Sequence, residues 1–219
     1  MRRLLTILAA ALVLASCQES QGMLYRTLMY GFVQEDGSLL ADDGRTYIFS
    51  NATSFPDYMA AERVLAMFDV VEAENGSETR FKAMMLQFTL PLYKPVDSCT
   101  TDEEIEAFGL NPIDMTACNY SGGCINMENT IYVLEGSEVK HLVSLVHDTS
   151  RSSGDTLRLR LCHDAGNDAL VSDFDVQRKF VFYSSFPLKD LLPDSGSIVV
   201  EIKWSWNDEW NTKYLTLSK

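Results

Sequence analysis

From Leu24 onward, apolar and polar residues alternate in short runs, and no stretch keeps a helical period over any length. Successive side chains of a strand point to opposite faces, so period-two runs broken by turn residues predict an all-β fold. In the first run Leu24, Arg26, Leu28, Tyr30 and Phe32 share one side, and Tyr25, Thr27, Met29 and Gly31 the other. Gly31 inside that strand marks a bulge or a tight bend, as barrel corners require. Asp42-Asp43-Gly44 predicts a hairpin turn into a strand over 45–49. A loop, or a short helix around Tyr58 to Arg63, separates it from strands over 64–72 and 79–92, which flank an Asn75-Gly76 turn. Five strands in this compass suit a small curled barrel over 24–97.

The composition shifts at Pro95. Residues 98–128 hold Cys99, Cys118, Cys124 and the acids Asp102, Glu103, Glu104 and Glu106, and little there alternates. The segment is predicted as an acidic, Cys-containing connector with one helical turn, Thr101 its N-cap and Glu104 at the third helical position. Alternation then returns in candidate strands over 129–135, 138–148, 156–163, 179–186, 197–206 and 212–217. Turn signals at Gly136-Ser137, Gly166-Asn167-Asp168 and Asp194-Ser195-Gly196 separate several of them. Six or so short strands of this kind predict an antiparallel β-sandwich over 129–219.

The first residues are read as an address. Arg2 and Arg3 precede an apolar run from Leu4 to Leu14, which as a helix would reach only about 16 Å against a hydrocarbon core of roughly 30 Å. The run is therefore expected to be the core of an export signal over 1–16. It ends in Leu14-Ala15-Ser16-Cys17, the bacterial lipobox pattern, so Cys17 is the expected lipidation site and 17–23 a short tether. Two or more acyl chains give stable anchoring, at about 0.8 kcal/mol for each buried CH₂. The expected location is a lipid anchor such as palmitate in the outer membrane, facing the periplasm or the cell surface.

Without Arg2 and Arg3 the 18 basic residues fall to 16 against 31 acidic ones, a formal charge of −15. That balance opposes nucleic acid and anionic headgroups, so no nucleic-acid partner is expected. Export also places Cys99, Cys118, Cys124 and Cys162 in an oxidising compartment. Four cysteines allow three pairings; Cys118 with Cys124 across a turn-rich loop is preferred, leaving Cys99 and Cys162 as a second bridge.

Lipobox, barrel and sandwich in this order resemble the NigD-like lipoproteins of Bacteroidota. The matching residues are Asp42-Asp43-Gly44-Arg45-Thr46-Tyr47, then Glu62-Arg63-Val64-Leu65, His141 to Val146, Asp155 to Leu161, and His163-Asp164. The strands Phe180 to Phe186 and Ile198 to Trp204 are similar too. The resemblance implies an OB-like barrel followed by a β-sandwich. It carries no settled activity, and only the family name suggests a bacteriocin-associated role. Glu62 and Asp164 stand where the pattern commonly has Gly and Asn.

Few residues suggest chemistry. If the strands over 138–148 and 156–163 pair about Ser152, His141 faces His163 across a hairpin, with His147 on the same face. Two readings stay open: sheet histidines satisfied by hydrogen bonds, or a zinc pair completed by Asp164 in a metal-dependent enzyme. No nucleophile elbow, phosphate loop, dinucleotide fingerprint or calcium loop occurs, so neither catalytic residues nor a cofactor is expected. Trp204, Trp206 and Trp210 cluster near the end of the chain. They are either core, continuing the face of Ile198, Val200 and Ile202, or a stacking surface for a glycan or peptide, with Trp210 the more exposed. The expected activity is a non-catalytic binding or interaction module with an envelope protein or glycan partner.

Overall fold

The computed structural model describes residues 24–51, 55–56, 59–168 and 176–218. The expected export signal over 1–16, the lipidation site Cys17 and the tether over 17–23 lie outside the described residues. The fold is all-β, in two units: Met1–Ala61 with Ala66–Phe88, and Glu62–Leu65 with Thr89–Lys219.

The first unit is a closed five-stranded barrel. Its strands are β1 (Tyr25–Val33), β2 (Leu39–Ala41), β3 (Thr46–Phe49), β4 (Arg63–Ala73) and β5 (Arg80–Thr89). They close in the order β1-β2-β3-β5-β4, with β3 and β5 parallel. Buried Val33, Leu39, Tyr47, Phe68, Val70 and Met85 fill the interior. The Asp-Asp-Gly-x-x-Tyr stretch is a structural latch. Gly44 takes φ +82°, which only glycine adopts cheaply, and closes the β2–β3 turn. Asp43 then accepts the Arg45 amide at 2.9 Å and the Tyr47 hydroxyl at 3.0 Å, so the fully buried ring keeps its polar end satisfied. Gly31 sits where a Cβ would lie 2.6 Å from the carbonyl oxygen of Leu40, so its lack of a side chain lets β1 and β2 approach.

The second unit is a β-sandwich. One sheet has the order β14-β13-β11-β10-β7 and the other β6-β12-β9-β8. The strands are β6 (Leu92–Tyr93), β7 (Asp97–Cys99), β8 (Asp114–Ser121), β9 (Cys124–Leu134), β10 (Leu142–Asp148), β11 (Thr156–Asp164), β12 (Gln177–Pro187), β13 (Ser197–Trp206) and β14 (Glu209–Ser218). Odd residues of β9, β10 and β11 and even residues of β12 and β13 point inward. Ile125, Met127, Leu145, Leu159, Phe186 and Ile202 make the core between the sheets. Most pairs are antiparallel, but β7 on β10, β11 on β13 and β6 on β12 run parallel.

The segment expected as a connector is part of this sandwich. It supplies β7, the short helix α1 (Asp102–Glu106) and β8. The predicted helical turn forms with its full capping box, Thr101 and Glu104 bonding each other's backbone amides. Ile105 of α1 is wholly buried with Cys99, Val146 and Cys162 in a small cluster on the outer side of the five-stranded sheet.

Candidate functional site

His141 and His163 do meet, through a register two residues from the expected one. Val143, not His141, pairs with His163. An even shift keeps side-chain parity, so both rings remain on one face and stack diagonally, centroids 5.1 Å apart. Nδ1 of His141 lies 2.9 Å from Nε2 of His163. The third group is Asp168, not Asp164: its Oδ2 is 2.8 Å from Nε2 of His141. Asp164 instead accepts the Gly166 amide at 2.8 Å, and the turn it closes returns the chain so that Asp168 faces the histidines. Nδ1 of His163 points at the carbonyl oxygen of Pro112, 2.9 Å away.

The proton count of this row follows from its ends. Pro112 offers only an acceptor, so His163 donates from Nδ1 and its Nε2 accepts from His141. His141 therefore donates from Nδ1, and its Nε2 faces the Asp168 carboxyl. The row ends in a histidine–carboxyl pair whose side chains are 9% and 1% exposed. Hydrogen bonds from the Ser137 hydroxyl and the Leu134 amide hold the Asp168 carboxyl below its usual range, and burial pushes His163 down. Every ring nitrogen in the row is engaged by protein. Among the described residues no three His, Cys, Asp or Glu side chains converge as a metal-ligand set. His147 stands apart, its Nε2 3.0 Å from the Ser152 hydroxyl.

The four cysteines carry thiols, and the expected bridges are not made. Cys118 and Cys124 lie on the two arms of the β8–β9 hairpin, where Cys124 pairs with Ser121. Cys118 is three residues from Ser121, an odd step, so the two thiols face opposite sides of the sheet. Cys99 and Cys162 flank β10, paired with Asp148 and Ser144 respectively. Two strand spacings put their Cα atoms at least about 9.5 Å apart, beyond the roughly 7 Å limit for a bridge. Burial raises the thiols, Cys118 to about 11 and Cys162 to about 12, so they are poor nucleophiles.

The tryptophans divide. Trp204 is buried in the core, Trp206 stacks on Tyr132 at 5.3 Å, and Trp210 is 54% exposed with the Arg160 guanidinium 5.1 Å over its ring.

A groove of about 720 Å³ opens along one side of the sandwich. It lies where edge cover is short: β7 pairs only with 146–148 of β10, and β6 only with 184–185 of β12. Ile131, Val133, Val143 and Phe182 form its floor and Leu142 and Phe180 its walls. Those two are 52% and 50% exposed, unusual for large apolar side chains sharing one depression. Lys94, Lys140 and Arg178 line it too. The sequence did not announce this groove, because it depends on how far each edge strand extends.

Residues 96–218 match the family described as the NigD-like C-terminal beta sandwich domain. No curated protein matches the chain. Three solved structures share its architecture. One is a protein of unknown function from Bacteroides vulgatus, 16% identical, covering 89% of this chain and 91% of its own, at a TM-score of 0.70. A NigD-like immunity protein from Bacteroides caccae is 17% identical over 90% and 98%, at 0.58. A putative lipoprotein from Bacteroides fragilis is 11% identical over 89% and 98%, at 0.62. At these identities the likeness concerns the fold.

Proposed function

Because the chain belongs to the NigD-like family, we propose that it is a membrane-anchored envelope lipoprotein acting as a non-catalytic binding module. The observation that carries this reading is the sandwich groove: an apolar floor, half-exposed Leu142 and Phe180, and three cations in an acidic protein. The groups able to do chemistry are otherwise occupied. The ring nitrogens of His141 and His163 are held by protein partners, and burial raises the Cys99, Cys118 and Cys162 thiols. The lipobox ending at Cys17 supplies the anchoring half of the proposal. A glycan-binding alternative draws on one observation, the exposed Trp210 ring on the outer face of the five-stranded sheet.

Two measurements test the halves. Palmitate fed to cells labels the wild type and not Cys17→Ser. A photo-cross-linking side chain at Leu142 gives an adduct with an envelope component, whereas the same group at Tyr214, exposed but outside the groove, gives none. Equal adducts from both positions, or none from Leu142, contradict the groove as the binding surface.

A further inference from the structure

We propose that the groove takes a single acyl chain with an anionic headgroup; this rests on the binding-module reading and names its ligand class. The first observation is the order of residues along β12. On its inward face Arg178, Phe180 and Phe182 line the groove in turn, paired with Val133, Ile131 and Asn129 of β9. A cation thus stands at one end and apolar surface runs away from it. The four steps from Arg178 to Phe182 span about 13 Å of strand, and one leaflet's acyl chain spans about half of a roughly 30 Å core. The length fits one chain.

The second observation is charge. Lys140, just ahead of β10, lines the groove together with Arg178, and neither makes an ion pair among the described residues. Lys94, by contrast, is already committed to Asp97 at 3.1 Å and to the Ser144 hydroxyl at 2.9 Å. The acids facing the groove are Asp164, which accepts the Gly166 amide, and Asp168, which is engaged by His141 and the Leu134 amide. Two cations without an ion pair among the described residues therefore line the groove, Arg178 at one end of its apolar surface, in a chain whose overall charge repels anions. This asymmetry matches an amphiphile better than a peptide, whose charges recur along its length. Burying the tail removes apolar surface from water, and the head sets orientation by charge complementarity.

The test uses the mature chain carrying Cys17→Ser in detergent-free buffer, with 11-(dansylamino)undecanoate as the fluorescent carboxylate probe. One probe per chain is expected to bind with enhanced emission, and palmitate displaces it while dodecyltrimethylammonium does not. Leu142→Asp weakens binding about tenfold or more by placing a carboxylate against the tail. The double variant Lys140→Glu, Arg178→Glu weakens it similarly and removes the preference for anionic competitors. All three positions are exposed enough to change without loss of fold, which the unchanged melting of each variant verifies. No enhancement, equal affinity in all variants, or displacement by the cationic amphiphile as readily as by palmitate overturns the proposal. If the probe fails while the Leu142 cross-link in cells persists on a protein partner, the acyl ligand falls and the binding module stands.

Discussion

His141→Ala lowers the melting temperature of the sandwich by roughly 10 °C. The substitution takes the proton donor from Nε2 of His163, which is itself buried, and a hydrogen-bond partner from Asp168, whose side chain is 1% exposed. Leaving one partner of a buried pair costs far more than the pair contributes when intact. All three tryptophans lie between Trp204 and Trp210, so indole fluorescence reports this unit's unfolding alone. The wild type shows the matching pH profile. His163 is depressed from its ordinary 6.5, so its contribution is complete above pH 6.5 and is lost as pH falls through its lower folded value. Asp168 is depressed from 3.8, and its contribution is complete above that pH and lost as pH falls through its own folded value. Stability of the wild type therefore declines on acidification from pH 6.5, and the His141→Ala profile is flatter because the row is already broken. A melting temperature unchanged by the substitution contradicts the row's structural role.

Arg63→Ala costs about 3–5 kcal/mol, from the cavity left by the largest fully buried side chain among the described residues and from the acceptors it abandons. Arg63 donates to the Ser185 hydroxyl at 2.5 Å and to Oδ1 of Asn126 at 2.9 Å. Asn126 in turn donates to the Ser121 hydroxyl at 2.9 Å and to Asn119 at 3.2 Å. Arg63 thereby organises a buried polar network on the outer side of β9 and β12. Arg63→Lys restores little, because an ammonium cannot present two fixed donors to two acceptors at once. Urea unfolding measures both; a loss under about 1 kcal/mol for Arg63→Ala would show that water replaces the guanidinium.

The fold was legible where burial alternates. The barrel strands, the sandwich and the Thr101 capping box follow from period-two runs and turn residues. The connector was misjudged for a physical reason. β7 has three residues and is held by one parallel neighbour, and β8 carries a register shift at Thr116 with Ala117, Cys118 and Asn119 in place of branched residues. Neither shows strand propensity; both are strands because a partner edge was available. The same limit governs the candidate site. Parity put His141 and His163 on one face, but Asp168 joined them through a tight turn whose return direction no local pattern encodes. Nothing local in the sequence marks Arg63, Asn126 and Ser185 as buried; the strand register stacks them. The disulfides failed on geometry: four residues in an oxidising compartment satisfy the composition rule, but strand parity and spacing set the Sγ atoms apart.

The central claim is that the histidines hold the sandwich together and leave its groove to do the binding. Long-range ¹H–¹⁵N correlation spectra of the imidazoles at pH 7 test it most directly. The account predicts, on His163, a protonated Nδ1 with an unprotonated Nε2 that accepts from Nδ1 of His141, with the signals of both rings unmoved by added zinc. A ring nitrogen of His141 or His163 whose signal shifts stoichiometrically with zinc would contradict it.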